Sequence, residues 1–159
     1  MKITIIAVGK IKEKFYRDAI DEYVKRLSKY CKLEIKQVAD EKTPDHASDT
    51  VNAQILAKEG ERIRNLIPKD SHVIVLAIEG KKYDSVEFAD MMNQAGIHGI
   101  SNITFIIGGS LGIAEDIKKA AHGRISFSDM TFPHQLFRIM LLEQVYRAFK
   151  INAGETYHK

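Results

Sequence analysis

The fold is decided by the stretch Ile103-Thr104-Phe105-Ile106-Ile107-Gly108-Gly109-Ser110-Leu111-Gly112. Its first five residues predict a strand that is buried on both faces. The glycine-rich segment predicts a sharp turn, and the residues after it predict a short helix that ends at about Ala121. A buried strand that turns directly into a helix is typical of a parallel α/β sheet.

The same alternation of strands and helices extends outward in both directions. Further strands are predicted at Lys2–Val8, Leu33–Ala39, Val73–Ile78 and Arg124–Ser128. Four further helices are predicted: Phe15 to Tyr30, about Ser48 to Pro68, the Asp84/Glu87 capping box to about Gly96, and Pro133 to about Lys150. In the first, apolar residues recur at helical spacing: Phe15, Ala19, Tyr23, Leu27 and Tyr30. In the second, the side chains predicted to lie inward are Val51, Ile55, Ile63 and Leu66. The chain is therefore predicted to form one α/β domain over residues 1–159, with a mostly parallel sheet and helices on both faces.

The composition excludes several classes of protein. Hydrophobic residues make up 45% and charged residues 28%, which excludes a disordered tail and a fibrous repeat. The longest apolar run, Val73–Ile78, is far shorter than the roughly 20 residues that span a bilayer, and the N-terminal apolar stretch is too short for a signal peptide. A single cysteine, Cys31, cannot form an intramolecular disulfide. We expect a soluble cytoplasmic protein with no membrane contact.

Positive charge is concentrated at the two ends of the chain. Residues 1–36 hold ten Lys and Arg against five Asp and Glu, and residues 118–159 hold seven against three. Residues 37–117 hold seven against thirteen. The basic ends predict either solvated helix faces or one surface that attracts phosphate backbones.

Three loops that follow predicted strands indicate where a ligand binds. They are Glu79-Gly80, Gly108-Gly109 and Ser128-Asp129-Met130-Thr131. Because ligands of parallel sheets bind beyond the carboxyl ends of the strands, the loops predict a small-molecule pocket in the second half of the chain.

Two chemistries fit the glycine-rich loop. It matches the G-x-S-x-G nucleophile elbow, so a small serine hydrolase with Ser110 as nucleophile, Asp129 as orienting group and His134 or His158 as base is one hypothesis. The loop also lacks the Lys-Ser/Thr pair of a P-loop and the G-x-G-x-x-G of a dinucleotide site, which favours a neutral or cationic ligand such as S-adenosyl-L-methionine. A non-catalytic RNA-binding module is a third hypothesis. The six histidines show no metal-ligand spacing, so no metal is expected.

The last predicted helix carries more apolar residues than one buried face needs. They are Leu136, Phe137, Ile139, Met140, Leu141, Leu142, Val145, Tyr146, Ala148 and Phe149. A second apolar stripe predicts a homodimer contact.

Five stretches together resemble one known family. They are Met1–Lys10, Gly108–Gly112, Phe127–Gln135, Glu143–Ala148 and Tyr157-His158. The chain resembles, over its whole length, the ribosomal RNA large subunit methyltransferase H family of the SPOUT superfamily. The resemblance implies a C-terminal deep trefoil knot, a homodimer packed through the last helix, and methyl transfer from S-adenosyl-L-methionine to N3 of a pseudouridine in 23S rRNA of the assembled ribosome.

The resemblance also implies the site residues. The cofactor pocket is expected at Leu76, Gly108, Phe127, Ser128, Asp129, Met130, Thr131 and Phe132. His158 is nominated as the base that takes the acceptor proton, with Tyr157 and Arg147 positioning it or stabilising the developing charge. RNA phosphates are expected to contact Lys12, Lys14, Arg17, Lys25, Arg124, Arg138 and Arg147.

Overall fold

A computed structural model describes all 159 residues and contains one five-stranded sheet in which every pairing is parallel. The strands are β1 (Lys2–Val8), β2 (Lys32–Val38), β3 (His72–Lys82), β4 (Asn102–Ile107) and β5 (Gly123–Ser126). Their spatial order is β2-β1-β4-β3-β5. The predicted α/β class and parallel sheet are confirmed.

Five helices connect and cover the strands. They are α1 (Lys14–Leu27), α2 (Asp49–Leu66), α3 (Ser85–Ile97), α4 (Glu115–Ala120) and α5 (His134–Asn152). α1, α3 and α5 pack on one face of the sheet, whereas α2 and α4 pack on the other. The crossovers through α1 and α3 move toward the β2 edge, and those through α2 and α4 move toward the β5 edge, so all four share one hand.

Successive side chains along a strand point alternately into two hydrophobic cores, one on each face of the sheet. Along β1, Ile3, Ile5 and Ala7 face the α1/α3/α5 core, whereas Ile6 and Val8 face the α2/α4 core. The central strand β4 is likewise buried on both faces, which explains its apolar run.

Val51, which was predicted to lie inward, and Phe15, one of the apolar residues at helical spacing, are both exposed. Phe15, in the first turn of α1, is 64% exposed, and Val51 of α2 also lies at the surface. Each occupies a position near the start of its helix, where spacing alone does not show how much of the helix contacts the sheet.

β3 continues beyond its predicted end at Ile78. After a bulge between Leu76 and Lys81, Lys81 and Lys82 pair with Ile125 and Ser126 of β5. This polar extension lacks the apolar signature of a strand, and pairing with β5 holds it in place.

α5 is more completely covered than its composition predicted. α1 and α3 flank it, and its large apolar side chains are all buried or half-buried. The homodimer therefore stays a prediction, as does the trefoil knot, which strand order and pairing alone do not define. None of the helices combines the length and hydrophobicity needed to cross a membrane.

Candidate functional site

A cleft of about 400 Å³ opens at the carboxyl ends of β3, β4 and β5. It is formed by residues 76–79 at the bulge of β3, by 107–113 at the end of β4 and after it, and by residues of 125–132 at the end of β5 and after it. Each of the three segments that the sequence singled out contributes residues, although Gly80 does not line the cleft. Its volume lies in the range of small-molecule and cofactor sites. The predicted pocket in the second half of the chain is therefore present in the fold.

The glycine turn after β4 is shaped by its own backbone. Gly112 donates its N–H to the carbonyl oxygen of Gly109 at 3.0 Å. A Cβ added to Gly108 would lie 2.5 Å from the carbonyl carbon of Gly112 and closer still to its oxygen. Gly108 is therefore required because two segments of the same turn pass each other without room for a side chain.

The loop after β5 is fixed by short-range hydrogen bonds. Ser126 Oγ donates to the Ser128 carbonyl oxygen at 3.1 Å, and Ser128 Oγ accepts from the Met130 N–H at 3.0 Å. Phe127 anchors the loop because its ring packs against that of Phe137, with centroids 5.0 Å apart. The main chain of this loop is thus held against the cleft.

Of the eight residues expected at the cofactor pocket, Asp129 alone does not line the cleft. Leu76, Gly108, Phe127, Ser128, Met130, Thr131 and Phe132 do so. Asp129 points to the surface, where its Oδ2 accepts from Lys82 Nζ at 2.6 Å. That ion pair joins the loop to the extension of β3 that the sequence did not predict.

The cleft also contains residues that sequence reasoning missed. Lys118 lines it with a largely buried side chain, and its Nζ pairs with Glu79 at 2.6 Å and Glu115 at 3.4 Å. The hydrogen bond from Lys118 lowers the pKa of Glu79. The lysine that reaches the cleft from α4 is therefore neutralised by two carboxylates.

His134 and Phe137, at the start of α5, close the cleft. Burial lowers the pKa of His134, and the nearby Arg138 lowers it further, so the imidazole is neutral at pH 7. No hydrogen bond reaches its Nδ1. The Pro133-His134 start of the helix was the available signal, but its position at the cleft depends on how α5 packs.

The parts of a serine hydrolase are not assembled. The Ser110 hydroxyl lies 3.2 Å from that of Thr43, with no histidine as a hydrogen-bond partner. Asp129 is paired with Lys82 rather than with a histidine. That chemistry requires a nucleophile hydrogen-bonded to a base, which is in turn hydrogen-bonded to an orienting group, and the structure does not contain this chain of hydrogen bonds.

The three nominated catalytic residues do come together, at the far end of α5. The Arg147 guanidinium lies 4.6 Å from the centre of the Tyr157 ring, and its Nη1 is 3.2 Å from His158 Nδ1. Glu143 ties the group together, because it accepts from Tyr157 Oη at 3.0 Å and from Arg147 Nη2 at 2.8 Å. Burial, followed by this bond to Glu143, raises the pKa of Tyr157. We call Glu143, Arg147, Tyr157 and His158 the tail cluster.

Arg147 lies far along α5 from the helix start that closes the cleft. Thirteen residues separate it from His134, and a helix rises about 1.5 Å per residue, which gives about 20 Å. Glu143 lines a second cleft of about 450 Å³, which shares Ile125, Ser126 and Phe127 with the first. Nowhere do three or more His, Cys, Asp or Glu side chains form a group that could hold a metal ion.

Comparison with known proteins identifies relatives over the whole chain. The family model described as "Predicted SPOUT methyltransferase" matches residues 1–158. The ribosomal RNA large subunit methyltransferase H of Bifidobacterium adolescentis is 63% identical over 159 residues, and that of Bifidobacterium animalis subsp. lactis is 57% identical, each with both chains fully covered. A protein of Clostridium perfringens named ribosomal RNA large subunit methyltransferase H 1 is 55% identical with the same coverage.

A solved structure supports the fold alone. A probable methylase family protein from Haemophilus influenzae Rd KW20 superposes with a TM-score of 0.53 at 12% identity. The match covers 99% of this chain and 70% of that one.

Proposed function

We propose, from the premise that the chain belongs to the SPOUT methyltransferase family, that it transfers a methyl group from S-adenosyl-L-methionine to large-subunit ribosomal RNA. The observation that carries this proposal is the cleft of main-chain loops and apolar side chains at the carboxyl ends of β3, β4 and β5. The full-length relatives, which bear the name of a large-subunit rRNA methyltransferase, supply the acceptor class.

The residues of the cleft fit this cofactor. Leu76 and Phe127 offer apolar surface to an adenine ring, and the loop at 128–132 offers main-chain donors and acceptors to its edge. Lys118 is paired with Glu79 and Glu115, so no free cation favours a triphosphate over a sulfonium. When bound, the cofactor supplies an electrophilic methyl group on a sulfonium, and the electrons of the broken C–S bond remain on sulfur.

We further propose N3 of a pseudouridine in 23S rRNA as the acceptor, within the assembled ribosome. An imide nitrogen must lose its proton before its electron pair can form the new N–C bond. His158 is the proposed base, and Arg147, held by Glu143 within the tail cluster, positions its ring. Holding the acceptor nitrogen in line with the methyl group supplies much of the remaining acceleration.

The separation of about 20 Å along α5 between His134 at the cleft and Arg147 of the tail cluster bears on how the proposed homodimer works. In that homodimer, the tail cluster of one copy acts on the cleft of the other. A mixing experiment tests this. Thr131→Trp fills one cleft from an exposed position, and deletion of residues 157–159 removes the tail.

Each variant alone is expected to be inactive. In an equal mixture, half the dimers are mixed, and each of these has one intact cleft facing one intact tail, so about a quarter of the wild-type activity returns. If each cleft used its own tail, the mixture would stay inactive.

Calorimetry with S-adenosylhomocysteine and methyl transfer to unmodified ribosomes test the central proposal. We expect one binding site per chain and incorporation of one methyl group into 23S rRNA. Ser110→Ala is the control, because a hydrolase would require its hydroxyl and a methyltransferase would not. Absence of both binding and transfer by the wild-type protein would refute the proposal.

RNA docking is proposed to use the exposed Lys12, Lys14, Arg17 and Lys25 around α1. Affinity for the ribosome should fall as salt rises, because contacts with phosphates release counterions. Arg138 does not belong to this set. It is 1% exposed, so its expected role in surface contact with phosphates is wrong.

A further inference from the structure

Arg138 is a buried positive charge without a partner of opposite charge. It lies in the second turn of α5, and its only hydrogen bond runs from Nη2 to the Gly9 carbonyl oxygen at 3.2 Å. Its Nε is buried and has no partner. Burial alone lowers its pKa, and no carboxylate offsets that effect.

Two more unsatisfied polar groups lie on the turn of α5 that precedes Arg138. His134 Nδ1 and Gln135 Oε1, one turn or less before it on α5, are buried and unpartnered. Gly9, at the carboxyl end of β1, lies so close to His134 that an added Cβ would be 3.2 Å from its Cε1. We call the space between Gly9, His134 and Arg138 the β1 niche.

The start of α5 adds to the positive field in the β1 niche. Its N-cap, Pro133, makes no side-chain hydrogen bond to the helix, and no acidic residue stands in the first turn. The first N–H groups of the helix therefore remain free to bind an anion. A buried arginine and an uncapped helix start thus point at the same niche.

One carboxylate borders the niche without pairing with Arg138. The carboxyl carbon of Asp40, after β2, lies 3.9 Å from the ideal Cβ position of Gly9 that the His134 ring also approaches; Asp40 raises the pKa of His134, whereas burial alone shifts that of Arg138. Glu59 of α2 lies near Gly109, and its Oε2 accepts from the Glu41 N–H at 2.9 Å. An unpaired buried charge is costly, which suits a group whose partner arrives with the substrate.

We propose that the β1 niche binds the methyl acceptor as an anion, with Arg138 donating hydrogen bonds to a carbonyl oxygen of the ionised imide. His134 lines the cofactor cleft and stands one turn before Arg138, so the niche adjoins the place where the methyl group would be presented. Loss of the imide proton places negative charge on the flanking oxygens, and a guanidinium fork is suited to hold it. The proposal rests on the methyltransferase function proposed above.

This arrangement assigns Arg138 an electrostatic part in the reaction. It stabilises the anion after the proton has left for the base, and it forms no bond to the methyl group. His134, whose Nδ1 no hydrogen bond holds, is the side chain that moves to admit the acceptor.

The test compares Arg138→Met, Arg138→Lys and the control Arg64→Met. Arg64 is a surface residue of α2 that pairs with Asp116. Measured quantities are the melting temperature, the affinities for S-adenosylhomocysteine and 5′-methylthioadenosine, and both kcat and kcat/KM for ribosome methylation between pH 6 and pH 9.

Arg138→Met should melt close to the wild-type temperature, because removal of an unpaired buried charge offsets loss of the hydrogen bond to the Gly9 carbonyl oxygen. Its affinity for S-adenosylhomocysteine should stay within twofold, while kcat/KM at pH 7 falls by about 10- to 100-fold, the range for a hydrogen bond to a charged group. The loss of kcat should shrink at higher pH, where more of the bound acceptor is already ionised, and Arg138→Lys should recover part of it.

Two results would overturn the proposal. A markedly lower melting temperature with an equal loss of kcat at every pH would make Arg138 a structural residue. Weaker binding of S-adenosylhomocysteine but not of 5′-methylthioadenosine, which lacks the carboxylate, would assign the anion to the cofactor. Both results differ from failure of the proposed function. In that case the wild-type protein itself would neither bind S-adenosylhomocysteine nor transfer a methyl group.

Discussion

Replacing Gly108 by alanine tests how tightly the turn beside the cleft is built. The new Cβ would lie 2.5 Å from the carbonyl carbon of Gly112, whereas ordinary contacts begin at 3.4 Å, so the two segments must separate by about 1 Å. Both sides of this contact are main chain, so no side chain can rotate away. Overpacking of this kind costs about 1–3 kcal/mol.

The expected result has a stability part and a binding part. At about 2–4 °C per kcal/mol for a chain of this size, a loss of about 2 kcal/mol lowers the melting temperature by roughly 4–8 °C. A displacement of about 1 Å in the wall of the cleft should weaken binding of S-adenosylhomocysteine by about 10- to 100-fold. Differential scanning calorimetry and isothermal titration measure the two effects separately.

Gly123→Ala in β5 is the matched control. An added Cβ there would lie 3.8 Å from Ile74, which is ordinary contact, and the strand conformation suits alanine. Its stability and affinity should equal those of the wild-type protein within error. If Gly108→Ala behaved like this control, the close approach of Gly108 and Gly112 would not shape the cleft.

Three further predictions concern other parts of the chain. Deleting residues 157–159 should leave affinity for S-adenosylhomocysteine within twofold and abolish methyl transfer; full activity of the truncated protein would contradict the role of the tail. Asp84→Ala removes a capping box whose two bonds, at 2.7 and 2.9 Å, join Asp84 and Glu87, so urea unfolding should show a loss of about 1–2 kcal/mol, and an unchanged midpoint would contradict it. Burial raises the pKa of the Cys31 thiol to about 11, so iodoacetamide at pH 8 should alkylate the folded protein about 100-fold more slowly than the unfolded chain; equal rates would show that the thiol is not shielded.

Elements whose signals are local could be predicted from the sequence. β1 has the predicted bounds, Lys2–Val8, because its apolar run is buried on both faces and ends at a glycine. The capping box at Asp84 and Glu87 is present because both of its hydrogen bonds span only three residues. The three ligand loops could be placed because parallel strands bring their carboxyl ends to one edge.

Features set by distant contacts could not be predicted. The extension of β3 through Lys82 depends on pairing with β5, more than forty residues later in the sequence. That extension also holds Asp129 away from the cleft through its ion pair with Lys82. A pattern of residue types indicates neither contact, because each residue looks like an ordinary exposed charge.

Arg138 shows most clearly that the type of a residue can wrongly predict its exposure to solvent. Arginine on a helix is usually exposed, and the sequence therefore placed it among contacts to RNA phosphates. The structure buries it against Gly9, because α5 crosses the face of the sheet beside the end of β1. The residue with the least solvent contact among the proposed RNA ligands becomes the one proposed to touch the acceptor itself.

The placement of these groups gives α5 a definite part in assembling the site. Its N-terminal end carries His134, which lines the cleft, with Arg138 one turn later, and Arg147 of the tail cluster lies about 20 Å from His134 along the helix. One chain therefore presents the two halves of the proposed reaction at opposite ends of a rigid rod. Two copies packed with their α5 helices antiparallel about a twofold axis would bring each end against the opposite end of its partner, and a single interface would complete both sites. When the protein is diluted, the rate of methyl transfer per chain should then fall in proportion to the fraction of dimer, while the affinity for S-adenosylhomocysteine stays constant. Transfer that is equally fast for a separated monomer would exclude this arrangement.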